Sequence, residues 1–265
     1  MAGTTLSVLI CSHNYGRYLS ECLSSVLQQT RPPDEVVLVD DGSSDDTAVL
    51  ARSFDCVRYL RQEHAGKAAA FERGLQASSG DVICHLDADD YWMPAKLQRV
   101  EALLNAFPEA DAVVHQTSMV DAGGRTTYLP APGPIAPRAC SLAETLVSNL
   151  VYLPPRRRRG FGTAGSICVR RRGIGDLRPI PAAIGGFVDY FLVLAAARRG
   201  IVCTGDLLAA YRQHGLNYHL TQGAKRDELA LYDWLLADSV FNAGLSPRER
   251  RLLEASRLED LLFDT

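Results

Sequence analysis

Short apolar runs alternate with amphipathic stretches through the first part of the chain. Leu6-Ser7-Val8-Leu9-Ile10 is apolar and β-branched, which predicts a strand. A polar loop, Cys11-Ser12-His13-Asn14-Tyr15-Gly16, follows it. Leu19, Cys22, Leu23, Val26 and Leu27 then recur at helical spacing until Arg31-Pro32-Pro33 stops them. Glu35-Val36-Val37-Leu38-Val39 predicts a second strand that ends in Asp40-Asp41-Gly42-Ser43-Ser44-Asp45. Ser44 or Asp45 can cap a helix over residues 47–54. Residues 57–60 predict a third strand, 68–77 a helix and 81–86 a fourth strand. Strands separated by helical patterns of roughly 10–15 residues predict an α/β fold with a largely parallel sheet.

The pattern loosens afterwards. Residues 96–107 predict an amphipathic helix closed by Pro108, residues 112–115 a strand, and Asp121-Ala122-Gly123-Gly124 a turn. Residues 129–138 are rich in Pro, Ala and Gly and predict an irregular surface loop. A helix over residues 142–150, a strand over 166–171 and a helix opening at 185–191 come next. Residues 225–263 predict two helices separated by Gly244-Leu245-Ser246-Pro247.

In a parallel α/β sheet the ligand sits outside the carboxyl ends of the strands. Three polar clusters fall there: Ser12-His13-Asn14, Asp40-Asp41 and Asp87-Ala88-Asp89, the last followed by Asp90. Three carboxylates at one strand end repel one another, and a divalent cation relieves that repulsion. Hard oxygen ligands suit Mg²⁺ or Mn²⁺. An isolated D-x-D is more often a solvated acidic turn; the company of the other two clusters favours a site.

Composition narrows the class. The chain has 265 residues, 47% hydrophobic and 22% charged, which is ordinary for a soluble globular protein. A net charge of −3 exerts no global pull toward nucleic acid or membranes. The 7 cysteines include no C-x-x-C pair and read as small buried hydrophobes in a reducing compartment. No apolar run approaches the ~18 residues of a spanning helix, so the expectation is a soluble, cytoplasmic protein. The adjacent Arg156, Arg157, Arg158 and Arg159 read as a solvated loop, or as a loop that meets an anionic acceptor.

Two long segments carry a family resemblance. SVLICSHNYGRYLSECLSSVLQQTRPPDEVVLVDDGSSDDT and HAGKAAAFERGLQASSGDVICHLDADDYWMPAKL resemble the donor half of family 2 glycosyltransferases. The likeness is dense over residues 6–97, with VDDGSSDDT and LDADD in the family's order and spacing. It implies a GT-A fold: a Rossmann-like, mostly parallel sheet flanked by helices, here with a helical C-terminal appendage. It also implies a domain over residues 1–222, with a nucleotide-binding half (1–97) and an acceptor-side half (98–222). Residues 223–265 would then form the extension, covering the core, meeting a second copy of the chain or reaching the acceptor side.

The resemblance also implies roles. Cys11, Ser12, His13, Asn14, Asp41, Lys67, Asp87 and Ala88 would contact the donor, with His13 against the base and Asp41 accepting from the N3–H of uracil or thymine. Asp40 would brace the loop instead. Asp89, Asp87 and His214 would hold Mn²⁺ or Mg²⁺, His214 lying in a Y-R-x-H-x-x-N segment that spans Tyr211 to Asn217. Asp189 falls on the Asp of the family's G-x-E-D segment, with Val188 where Glu is common, and would be the base. Glu72 and Phe71 depart from the family's A-R-N-x-G segment, where Asn and a basic residue are usual. The implied activity is inverting transfer of a sugar from a nucleotide sugar, a UDP-sugar above others, to an acceptor hydroxyl. Two alternatives stay open: an inactive nucleotide-sugar-binding subunit and a sugar-1-phosphate nucleotidyltransferase. The latter would want more glycines after the first strand than Cys11–Gly16 offers.

Overall fold

The computed structural model describes residues 3–129, 136–150, 164–215, 217 and 222–262. The expected alternation opens the chain: β1 (Leu6–Ser12), α1 (Gly16–Leu27), β2 (Glu35–Asp41), α2 (Thr47–Arg52), β3 (Val57–Gln62), α3 (Lys67–Ala77) and β4 (Val82–Asp87). β3, β2, β1 and β4 lie side by side in that order and all run parallel. Ser12 is level with Asp40, and Cys11 with Asp87, so the three polar clusters share one rim. The N-cap of α2 falls on Asp46, whose side chain makes no capping bond, not on Ser44 or Asp45; the Asp45 carboxylate, one position earlier, accepts from the Thr47 N–H at 3.1 Å and from the Gly16 N–H at 2.9 Å, joining the starts of α2 and α1.

Beyond β4 the sheet is mixed. β5 (Tyr91–Trp92), α4 (Lys96–Ala106), β6 (Ala112–Val120), β7 (Thr126–Tyr128), β8 (Arg138–Cys140) and α5 (Leu142–Leu150) come first. β9 (Ile167–Arg170), α6 (Arg171–Ile174), α7 (Val188–Ala197) and β10 (Ile201–Arg212) follow. β9 is wedged between β4 and β6 and is antiparallel to both. β10 runs parallel to β6, and its other edge takes β8 and β5 antiparallel. Periodicity caught only the start of β6. It missed β10 as a strand, because Gly205 and Asp206 interrupt the apolar pattern where the register with β6 shifts, between Cys203 and Leu207.

Successive residues of a strand face opposite sides, so the buried sheet has two apolar faces. Val8 and Ile10 of β1, Leu38 of β2 and Leu86 of β4 pack with Leu19 and Leu23 of α1 and Leu97 and Leu104 of α4. Leu9, Val37 and Ile83 point the other way, toward Phe71 of α3 and Phe191 of α7. Burying each such side chain contributes about 1.5–3 kcal/mol. α7 is apolar almost all round because it lies beneath the final helices, α8 (Gln222–Ala237), α9 (Ser239–Asn242) and α10 (Pro247–Leu262). Leu231, Leu235, Phe241 and Leu253 of that terminal group belong to the same apolar cluster as Phe71 and Phe191, so these helices cover the core. Among the described residues no helix is long and apolar enough to cross a membrane.

The turn into β4 leaves no room at Gly80. A Cβ there would sit 2.3 Å from Ser7 Oγ and 2.7 Å from the Ser7 backbone nitrogen. The Gly80 N–H donates to that same hydroxyl at 2.8 Å. Gly80→Ala is expected to destabilise the fold by ~1–3 kcal/mol, as overpacking does, read as a lower midpoint in urea unfolding.

Candidate active site

The end of β4 gathers charge. One ligand oxygen from each of Asp87, Asp89 and Asp90 lies within 4.8 Å of the others. Lys67, the first residue of α3, places its ammonium 2.8 Å from each Asp87 oxygen. Burial works against both charges, but each partner holds the other in its ionised form: the Asp87 carboxyl lies below its ordinary range and the Lys67 ammonium above its own. Asp90 is buried, and burial together with the charges of Asp89 and Asp87 pushes its carboxyl well above its ordinary range. Its Oδ1 accepts from the Arg212 N–H at 2.8 Å.

Arg212, at the last position of β10, ties the acidic strand end to the neighbouring elements. Its Nε donates to the Asp89 carbonyl at 2.9 Å, and its guanidinium pairs with Glu21 of α1. The guanidinium carbon lies 4.8 Å from the Tyr18 ring centre and 5.6 Å from that of Tyr91. His214 follows: its Nε2 is 2.9 Å from Asp89 Oδ2, and its ring stacks on Tyr18 at 5.3 Å. Asn217 accepts from the His214 N–H at 2.5 Å and donates to the Arg212 carbonyl at 2.9 Å, which fixes the turn that presents the imidazole.

Asp189 comes to the same place from the first turn of α7. Burial raises its carboxyl, Lys67 tempers the rise and Asp87 adds to it, leaving it at about 6. The preceding turn needs Gly185, whose φ is +51° and whose missing Cβ would lie 1.5 Å from an Asp227 oxygen of α8. Lys67 therefore pairs directly with Asp87 and feels the charge of Asp189 as well.

The ends of β1, β2 and β3 form a second polar group. His13 stacks on His64 at 4.1 Å, and its Nδ1 lies 2.7 Å from the Asp41 carbonyl. Asp40 is fully engaged in bracing, with the Ser43 N–H at 2.8 Å and the Tyr59 hydroxyl at 2.5 Å. Asp41 accepts from the Ala65 N–H (2.9 Å), the Gly66 N–H (2.8 Å) and the Gln62 amide (2.7 Å). Burial opposes its charge, but these donors hold the carboxyl below its ordinary range. Asn14, at φ +59°, ties the first loop to the second through Ser43 and Ser44. Ser12 Oγ is buried without a hydrogen-bond partner, and the buried Cys11 thiol is pushed up by desolvation. Ala88 is fully buried in the apolar layer with α1 and α4, which turns its side chain away from any donor contact.

The two departures on α3 have structural partners. Phe71 is buried in the core, and Glu72 pairs with Arg178 at 2.6 Å. The four arginines at 156–159 lie outside the described residues.

The sequence profile of glycosyl transferase family 2 matches residues 7–168. The chain belongs to that family. An uncharacterized glycosyltransferase of Nostoc sp. is 33% identical over 233 residues, covering 84% of this chain and 69% of its own length. The Streptococcus pneumoniae glycosyltransferase GlyG is 37% identical over 114 residues, which span 41% of this family member and 37% of GlyG. Among solved structures, Staphylococcus aureus TarS 1–349 in complex with UDP-GlcNAc superposes with a TM-score of 0.74 at 16% identity, over 98% of this chain and 73% of that one. The mannosyltransferase PcManGT of Pyrobaculum calidifontis, in complex with GDP-Man and Mn²⁺, gives 0.66 at 17% identity, over 97% and 70%. These likenesses show the GT-A fold that the sequence led us to expect.

Sequence reasoning missed several residues of this glycosyltransferase's rim: Glu21, Tyr18, His64, Gln62 and the structural part of Arg212. His64 and Gln62 end a strand beside Gly66-Lys67, the signal that identified the other clusters, and could have been found the same way. Tyr18 and Glu21 sit on a helix face with no local mark of their partners. Arg212→Met should remove charge-assisted hydrogen bonds to Glu21 and the Asp89 carbonyl and cost ~1.5–3 kcal/mol in chemical unfolding.

Proposed function

We propose that this chain transfers a sugar from a nucleoside-diphosphate sugar, a UDP-sugar above others, to an acceptor hydroxyl in one inverting displacement. The single observation carrying the reading is Lys67, which interacts with both Asp87 and Asp189 and so joins the acidic strand end to the first turn of α7 in one site. The UDP-GlcNAc and GDP-Man complexes of TarS and PcManGT support a nucleotide-sugar donor.

The donor set fits a hard divalent cation. Three crowded carboxylates, with that of Asp90 pushed well up by burial and by its neighbours' charge, are a group that positive charge would relax. Asp89, Asp87 and His214 would hold Mn²⁺ or Mg²⁺, which when bound supplies positive charge to the departing diphosphate. Lys67 offers a second positive charge to phosphate oxygens on the same side. His13 offers a ring face to the base, Asp41 an acceptor for its N3–H, and the Gln62 side chain is the partner that yields. Asp189 takes the proton of the attacking hydroxyl: at about 6 its carboxyl is largely ionised at neutral pH yet basic enough to accept.

Asp189→Asn is expected to lower kcat by about 10²–10⁴-fold while donor affinity, measured calorimetrically, stays unchanged. Wild-type turnover in that variant would remove Asp189 from the mechanism. For the native enzyme kcat/KM should climb as pH rises through about 6, because the base works only once deprotonated, and then level off. In a thermal-shift panel of nucleotide sugars, UDP-sugars with Mn²⁺ should raise Tm most, and removing the metal with EDTA should reduce that rise.

A further inference from the structure

Tyr15, Tyr18 and Glu21 are spaced three apart, Tyr15 at the N-cap of α1 and the other two within it, so they share one face of the helix. All three meet partners from the far end of the chain. The Tyr15 ring centre lies 5.7 Å from that of His214, with the planes 56° apart. The Tyr18 ring centre lies 5.3 Å from it with the planes only 22° apart, and Glu21 pairs with the Arg212 guanidinium. Tyr18 is the middle of this group. It is 7% exposed, and two guanidinium carbons lie over its ring, Arg212 at 4.8 Å and Arg17 at 4.5 Å. The His214 side chain is itself only 3% exposed.

We propose that Tyr18 is a positioning residue for the divalent cation: it holds the His214 imidazole in the orientation the ion needs and so sets the affinity for Mn²⁺. The inference rests on the reading above that Asp89, Asp87 and His214 are the ligands. An imidazole nitrogen binds a metal through a lone pair in the ring plane, so affinity depends on where that plane points. Asn217 fixes the backbone of the turn, but a histidine side chain still has two torsions to settle. The Tyr18 ring settles them. Its face lies nearly parallel to the imidazole and resists tilting, while Nε2 stays 2.9 Å from Asp89 Oδ2, so two of the ligands are already together. Close packing around two buried rings leaves little room for another rotamer.

The same ring is anchored in its turn. Arg17 and Arg212 are drawn to the electron-rich face of an aromatic side chain, and Arg212 is further tied to Glu21 and the Asp89 carbonyl. Tyr18 acts through His214, not on the ion. Partners that orient metal-bound histidines are commonly worth about 10–100-fold in metal affinity. What matters is the flat face: phenylalanine at 18 keeps it, whereas leucine keeps much of the bulk without it.

The test is calorimetric titration of Mn²⁺ into the full chain, alone and with saturating UDP, each against a protein-free blank. Tyr18→Phe should bind Mn²⁺ as the native chain does. Tyr18→Leu should bind it about 10-fold more weakly, while its affinity for UDP without metal, which also reports a folded site, stays unchanged. Tyr18→Met carries the same expectation should the leucine variant not fold. In a chain already carrying His214→Ala, Tyr18→Leu should cost nothing further, because the residue it acts through is gone. An unchanged Mn²⁺ affinity in Tyr18→Leu, an equal loss in Tyr18→Phe, or a full additional loss in the double variant would overturn the positioning role alone. No Mn²⁺ binding by the native chain under either condition would overturn the ligand reading, and this inference with it.

Discussion

Mutual repulsion among carboxylates at one strand end is the constraint to which the rest of the molecule answers. Two unit charges 4 Å apart interact by about 1 kcal/mol in water and about 4 kcal/mol near a protein surface. Asp87, Asp89 and Asp90 are thus unstable company without neutralisation. The fold answers three times. α3 supplies Lys67 against Asp87, β10 and the turn after it deliver Arg212 and His214 around Asp89, and burial pushes the Asp90 carboxyl up toward its neutral form. In the proposed reaction a divalent cation and a diphosphate would enter such a site together, because each offsets what the other adds.

How much of this could be read in advance depended on whether the cause was local. β1, β2 and β4 are central, buried on both faces and marked by continuous apolar runs, so the rim they create was legible with its clusters. Asp40 braces its loop through Ser43 and Tyr59, as read, but Asp41 is tied as firmly into the loop that opens α3, which the sequence did not announce. What stayed hidden was set by distant partners. β9 reads as a strand anywhere, and nothing in Ile167–Arg170 announces that it lies antiparallel between β4 and β6. Tyr18 is one more ring on an amphipathic helix until His214 stacks on it.

The departures at Phe71 and Glu72 illustrate the same divide. Against the family pattern they look like lost donor contacts. In the fold Phe71 fills the layer between α3 and the buried His85, whose ring it meets at 4.8 Å, and Glu72 holds Arg178. A change that reads as loss of function in one dimension is a packing choice in three. The reading of the cysteines as small buried hydrophobes holds for Cys11, Cys22, Cys84, Cys140 and Cys168, while Cys56 is exposed.

The bond between Arg212 and Glu21 has an evolutionary consequence. It joins the first helix of the chain to the end of its last strand, with the Asp89 carbonyl held in the same grip. The front and back portions of the chain are therefore not interchangeable cassettes. A chimera taking its front from one relative and its back from another would inherit an unmatched buried cation or a stray carboxylate, unless positions 21 and 212 travelled as a pair.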